Sequence, residues 1–435
     1  MTPKSFSAKA PSRREFLKLS AGTAAAAGLG LSLARGAHAA GDDVIKVGLI
    51  GCGGRGSGAA VNALNADPGA RLVAMADLFE PYVKGSRDRI AKIHGDRVQV
   101  DDDHCLVGLD GYKGVIEASD VVLIACASKF HPQYLKEAIA SGKHVFIEKP
   151  HAIDPPGIKV ATAAYQEAEK KGLCVVSGLC WRYHTGVQET MKRVLDGAIG
   201  DVVTVQENYL RTPYRLVERQ PEWDETEYQF RNWYHFCWLS GDDILQSLVH
   251  SFDKGAWALG DKPPVAAYGV GGRAASVGPV FGDVFDHNAI VFEYDNNVRL
   301  FGFGRAQNGC HNETSDHIFG TKGYCNVIKG QIEGENPWRY EGPNCNMYDA
   351  EHAALFSAIR DGKPINNGAY MINSTMIGIL GTMVAYTGQR ITWDDAIQSP
   401  WLAGPEEVSF DMKPPIVPDA NGIYPIPTPG ITRLG

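Results

Sequence analysis

Between residues 44 and 180, apolar runs of strand length alternate with stretches of helical spacing. Val44-Ile45-Lys46-Val47-Gly48-Leu49-Ile50 is apolar and β-branched and predicts a buried strand, with a helix from Ser57 to Leu64 after it. Further strands are predicted at 71–76, 120–125, 143–147 and 175–179, with a helix from His131 to Ser141 closed by Gly142. The run at 120–125 is almost wholly apolar, as a central strand covered on both faces must be. Strand, helix, strand in repetition predicts a doubly wound parallel sheet, an α/β fold with its ligand site at the carboxyl ends of the strands.

The pattern changes beyond residue 181. Apolar positions 244, 245, 248, 249, 252 and 256 fall at helical spacing and predict an amphipathic helix that stacks Gln246 and His250 one turn apart. Short alternating runs fill 202–345. Those at 289–294 and 298–303, joined by Asp295-Asn296-Asn297, predict an antiparallel hairpin. Prolines at 414, 415, 418, 425, 427 and 429 forbid a regular helix in the tail and predict an extended arm, with a neighbouring subunit as its partner. The expected organisation is a leader over 1–39, a nucleotide-binding domain over 44–180, a second domain over 181–400 and a proline-rich tail over 401–435.

The leader is an address. Ser12-Arg13-Arg14-Glu15-Phe16-Leu17-Lys18 has the form of a twin-arginine signal, followed by a weakly apolar stretch from Ala21 to Ala34 and an A-x-A site at Ala37-His38-Ala39. The stretch is too short for stable membrane insertion. The implied partner is the twin-arginine translocation machinery, the implied location periplasmic or otherwise exported. That route moves folded proteins, so a cofactor made in the cytoplasm has to be held tightly.

Charge and composition narrow the chemistry. With 42 Lys plus Arg against 50 Asp plus Glu, the chain lacks the basic surface that nucleic acid requires. Its nine cysteines include no C-x-x-C pair, and its histidines no H-E-x-x-H. Asp286-His287 is the one tempting pair, and no metal is expected. Gly51-Cys52-Gly53-Gly54-Arg55-Gly56, by contrast, is a G-x-G-x-x-G between a strand and a helix, the context in which it cradles a pyrophosphate. Asp77 ends the second strand 21 positions after Gly56, where a carboxylate accepts both ribose hydroxyls and repels a 2′-phosphate. NAD is therefore expected over NADP; the competing reading of Asp77 is a helix N-cap. Ser128, His131, Glu148 and Lys149 complete the expected cofactor rim. Arg182 and Tyr183, with Tyr234 and His235, lie in aromatic and polar clusters that suit a sugar, though core packing accounts for the aromatics equally well.

VGLIGCGGRG at 47–56, Asp77, GKHVFIEKP at 142–150 and His250 within SLVHSFD together resemble the glucose–fructose oxidoreductase, inositol dehydrogenase and MocA (Gfo/Idh/MocA) family. The segments at 286–294, 351–366 and 374–396 resemble a twin-arginine-exported subgroup of it. The resemblance implies a Rossmann domain followed by an α/β domain with a large, open, mostly antiparallel sheet, through which copies assemble into a homo-oligomer. It places Lys149 beside the nicotinamide and a sugar or polyol carbinol, with a cis bond often preceding the proline. It puts a histidine at 250 and an acid at 246, where this chain has Gln246, which cannot ionise. The expected activity is NAD(P)-dependent oxidation of a carbinol. The alternatives are a redox-neutral, NAD-dependent glycosidase or lyase and a non-catalytic nucleotide-binding protein.

Overall fold

The computed structural model describes residues 44–434; the leader lies outside the described residues. Six parallel strands form the first sheet: β1 (Ile45–Ile50), β2 (Ala70–Asp77), β3 (Cys105–Val107), β4 (Val121–Ile124), β5 (His144–Ile147) and β6 (Val175–Ser177). Their order, β3-β2-β1-β4-β5-β6, is that of a doubly wound dinucleotide-binding sheet. The strands and helices expected from 44 to 179 are present with slightly different ends. The short strand β3, half-exposed and three residues long, gave no sequence signal.

Local chemistry sets the helix ends. Helix Pro155–Lys171 begins with two prolines, where the missing N–H costs nothing, under an Asp154 cap that accepts from Gly157 N at 2.8 Å. It stops at Gly172, whose φ of +66° suits a left-handed C-cap.

The second sheet has nine strands. In spatial order they are Trp338–Arg339, Gln331–Gly334, Gly323–Asn326, Glu313–Gly320, Val202–Arg211, Arg299–Ala306, His287–Glu293, Ala266–Gly272 and Ile391–Thr392. All neighbours are antiparallel except Arg299–Ala306 and Val202–Arg211, which run parallel. The predicted hairpin is there, turned by Asn296 and Asn297 at positive φ. One face packs on helices, including Gly368–Thr387, which is long and apolar enough to cross a membrane but is almost wholly buried in the protein core. The other face leaves Tyr268, Val270, Phe303 and Phe319 exposed.

Three features depart from or add to the sequence reading. The helix through Gln246 and His250 is continuous but widened: Ile244–Leu248 is a π-turn that runs on into the α-helical Val249–Ala258, so the two residues are not in ideal α-helical register. Helix Met347–Arg360 returns to the first domain, where Leu355 and Phe356 join the cluster built on β1 and β2. Asn62 donates to Asp349 at 2.6 Å, and Arg360 forks onto Asp67 with two bonds of 2.9 Å. The tail is extended as predicted, but it lies along its own chain, burying Pro414 and Tyr424.

Buried acids brace the start of the π-turn. Asp242 sits at φ 77°, and its carboxylate accepts from Tyr386 Oη at 2.6 Å and Phe285 N at 3.0 Å. Burial pushes its pKa up to about 7, and that of neighbouring Asp283 to about 6. A carboxyl raised on folding contributes stability that is complete below its unfolded pKa and is lost as pH rises through the folded one. Asp242→Asn, which tolerates the same φ, is therefore expected to flatten the part of the stability decline between about pH 4 and 7 that belongs to this group. Denaturant midpoints of the two proteins across that window check it; parallel curves would contradict it.

Candidate dinucleotide cleft and active site

β1 runs into a turn that only glycine can make. Gly51 has φ +94°, and a Cβ on it would stand 2.5 Å from Cys126 N. A Cβ on Gly56 would lie 1.8 Å from Gly51 O, so the first helix can approach the strand only without one. Gly53 and Gly54 differ: a Cβ there would meet nothing within 4 Å. The space before them is the floor of a cleft with an empty volume of about 1230 Å³. Helix Gly54–Ala66 starts at this floor with neither a side-chain cap nor an acid in its first turn, so its leading amides and positive dipole end are left for an anion. Asp77 lines the cleft at the end of β2, held by Cys52 N at 2.7 Å and Phe79 N at 3.2 Å. Burial raises its pKa against those amides. This donor set fits a dinucleotide: free amides for the pyrophosphate, a carboxylate for a ribose. The opposite wall, Phe230 to Tyr234, comes from the second domain.

Arg55 lines the same cleft, but its guanidinium is committed. Nε donates to Glu148, Nη2 lies 3.5 Å from Glu351, and the group stacks 4.5 Å over Tyr348. Glu351 is fully buried, and burial followed by the Glu148 charge holds its carboxyl well above the usual range. Arg55 thus ties the glycine turn to the corner after β5 and to helix Met347–Arg360.

At that corner the Lys149–Pro150 bond is cis. Lys149 Nζ donates to the backbone carbonyl of Gln246 at 2.5 Å, and Tyr214 Oη donates to the same oxygen at 3.0 Å. Burial pushes the Lys149 pKa down, opposed by Glu148. His250 is held well below its ordinary value by burial and then by the Lys149 charge, and its Nδ1 is buried without a hydrogen-bond partner. It is therefore a neutral imidazole close to the amine. Lys254 donates to the His250 carbonyl at 2.9 Å and pairs with Asp316 at 3.1 Å, fixing the helix below.

The other candidates fall elsewhere. The Gln246 side chain turns away from Lys149 and donates to Ser128 Oγ at 3.0 Å and to Ser240 O. Ser128 therefore braces the π-turn rather than the cofactor floor. His131 is buried, its ring nitrogens 2.6 Å from Pro150 O and 3.1 Å from Cys126 O, and it supports the corner from behind. Arg182 is consumed by Asp253 and Asp261 and packed on Trp257 and Tyr370, which removes it from any substrate site. Tyr183 donates to Asn367 at 2.8 Å, away from the cleft. Tyr234 does line the cleft, stacked between Trp233 at 3.9 Å and Tyr214 at 4.3 Å. His235 is buried behind it, its pKa pushed down to about 4 by burial. Asp286 takes the amides of Ala274, Ala275 and Ser276 as well as His287 Nδ1 at 2.7 Å, so that pair is a loop clasp. Among the described residues no three or more His, Cys, Asp or Glu side chains converge as metal ligands.

Sequence reading missed a chain that continues from the Gln246 carbonyl. Ser247 Oγ lies 3.2 Å from Tyr214 Oη and 2.9 Å from Asp243, while Arg211 donates to Ser247 at 2.8 Å, pairs with Asp243 and covers the Tyr214 ring at 3.5 Å. Asp243 stands next to the π-turn, three positions before Gln246. Its signal was the Asp242-Asp243 pair.

Comparison with known proteins agrees with this geometry. Residues 45–179 match the oxidoreductase family with the NAD-binding Rossmann fold, and residues 10–30 match the twin-arginine translocation pathway signal sequence. Residues 45–179 thus carry the NAD-binding domain of the Gfo/Idh/MocA oxidoreductases, and the leader carries a signal for export across the bacterial cytoplasmic membrane. Inositol 2-dehydrogenase of Rhizobium meliloti is 25% identical over 250 residues, 57% of this chain and 63% of that protein. Glycosyl hydrolase family 109 protein 1 of Bacteroides fragilis is 35% identical over 114 residues, 26% of this chain and 23% of that protein. Each match thus spans less than two thirds of the relative's length. In fold, scyllo-inositol dehydrogenase from Lactobacillus casei, solved with NAD(H) and scyllo-inositol, superposes with a TM-score of 0.62 at 18% identity, covering 81% of this chain and 100% of that one.

Gly53→Val separates the cleft from the fold. The new side chain enters open space from an extended backbone, so stability should change by no more than about 0.5 kcal/mol. NADH affinity should fall about tenfold or more, because the side chain occupies the cleft floor. Fluorescence titration and a denaturant melt check both halves; unchanged affinity would contradict the assignment of the floor.

Proposed function

We propose that this protein is an exported oxidoreductase that oxidises a carbinol of a sugar, polyol or glycoside, with NAD held tightly through export. The observation that carries the reading is the buried Lys149 amine, fixed on the Gln246 carbonyl beside a neutral His250, at a corner tied by Arg55 to the glycine turn. A nicotinamide dinucleotide supplies the hydride acceptor when bound; Gly53, Gly54 and the first helix would hold its pyrophosphate and Asp77 a ribose. Asp77 repels a 2′-phosphate, which supports NAD over NADP.

Lys149 does the proton chemistry. Burial disfavours its ammonium form, which makes the amine at Nζ a better acceptor for the carbinol proton. The Gln246 carbonyl and the nearby Glu148 charge then steady the ammonium. His250 accepts or donates a hydrogen bond without carrying charge, and so orients the hydroxyl. Retention of both Lys149 and His250 weighs against a purely nucleotide-binding role.

A second reading is redox-neutral glycoside cleavage, in which transient oxidation acidifies a neighbouring C–H, the substituent leaves and the hydride returns. The glycosyl hydrolase family 109 relative favours it, as does a non-ionising residue at 246. The exposed face of the nine-stranded sheet is the docking surface for a second copy, and a monomeric mass by light scattering would contradict that.

Lys149→Met should reduce turnover by about a thousandfold, the scale of positioned proton transfer, with NADH affinity nearly unchanged. Steady-state rates on polyols and glycosides, with analysis of whether cleaved sugar forms without net NADH, test the assignment. Wild-type turnover in the variant would remove Lys149 from the chemistry.

A further inference from the structure

The arm after residue 400 has a period that its prolines conceal. In Val408-Ser409-Phe410-Asp411-Met412-Lys413-Pro414, apolar residues hold the even positions. The fold follows this: Ser409, Asp411 and Lys413 are exposed, whereas Val408, Phe410, Met412 and Pro414 face the protein, as do Ile416 and Tyr424 farther on. An extended chain with period two buries one side and needs no sheet partner to do it.

What the arm covers is the back of the dinucleotide cleft. The Phe410 ring lies 6.1 Å from Phe79 and 5.1 Å from Phe230. Phe79, two residues past Asp77, lines the cleft on the side of the first domain, and Phe230 lines it on the side of the second. Phe230 belongs to helix Glu225–Arg231, which the arm grips along its length. Thr226 Oγ1 donates to Met412 O at 2.7 Å, the fully buried Gln229 donates to Ile416 O at 2.7 Å, and Tyr424 Oη donates to Glu225 at 2.6 Å. That helix leads directly into Trp233 and Tyr234, so the arm sets the position of the whole second wall.

We propose that Phe410 is a positioning residue of the cleft. Through it the arm holds Phe79 and the 225–234 wall together over the adenosine half of the dinucleotide and determines how slowly the nucleotide leaves. Release then requires local opening, in which the arm peels and exposes its apolar side. This rests on the reading that a dinucleotide occupies the cleft.

The test uses purified full-length exported protein loaded with NADH. Release is followed by the loss of bound NADH fluorescence into excess lactate dehydrogenase and pyruvate. Phe410→Ala should release NADH about tenfold faster or more, the cost of a lost buried aromatic contact. Thr226→Val, which keeps shape but loses the bond to Met412, should shift the rate in the same direction by less. Phe410→Tyr should restore slow release. Leu434→Ala, at the far end of the tail and packed on the second-domain cluster, should lower stability without changing release. Release from Phe410→Ala at the wild-type rate, or equal acceleration by Leu434→Ala, would overturn the proposal. Failure of the wild-type protein to take up NADH would instead overturn the cofactor reading beneath it.

Discussion

A buried amine needs an acceptor, and everything around Lys149 is arranged to supply one. The acceptor is a backbone oxygen, the Gln246 carbonyl in the π-turn, shared with the Tyr214 hydroxyl. A carbonyl cannot ionise, so it holds the amine without stabilising its charge as a carboxylate would. Burial lowers the Lys149 pKa, against the nearby Glu148 charge. The Gln246 side chain is used elsewhere: it anchors the π-turn to Ser128 and Ser240 and thereby fixes where its own carbonyl points. At the position where the family resemblance implies an acid, the Gln246 side chain braces the π-turn.

The first domain was legible in the sequence because its physics is local. A glycine that must adopt positive φ, a glycine that must lack a Cβ and an acid at a strand end each leave a mark at a fixed spacing. The parallel order of the sheet followed from alternating strands and helices. The second domain was less legible. Helical spacing from 244 to 256 was real, but periodicity cannot reveal a widening into a π-turn, which changes the register between Gln246 and His250. Arg182 was misjudged because its partners, Asp253 and Asp261, lie more than 70 residues away. Arg55 was expected at a phosphate for the same reason: Glu148 and Glu351 are distant in sequence and adjacent in space.

Export fits the way the molecule is held together. All nine cysteines are free, five of them buried, so no disulfide is needed to complete the fold. The first helix of the nucleotide-binding domain is clamped to helix Met347–Arg360 by Asn62–Asp349, Arg55–Glu351 and Asp67–Arg360, which ties the glycine turn to the second domain before any ligand arrives. A protein built this way can fold around its cofactor in the cytoplasm and leave as a finished unit.

The account stands on the cleft between the glycine turn and the 225–234 wall holding a dinucleotide in the protein as it leaves the cell. The direct measurement is to purify the exported protein without added nucleotide, denature it and determine the mass and amount of what is released. The account predicts NAD or NADH at about one molecule per chain, as for a tightly bound group that exchanges slowly. A chain that emerges empty and shows no affinity for either form would contradict it.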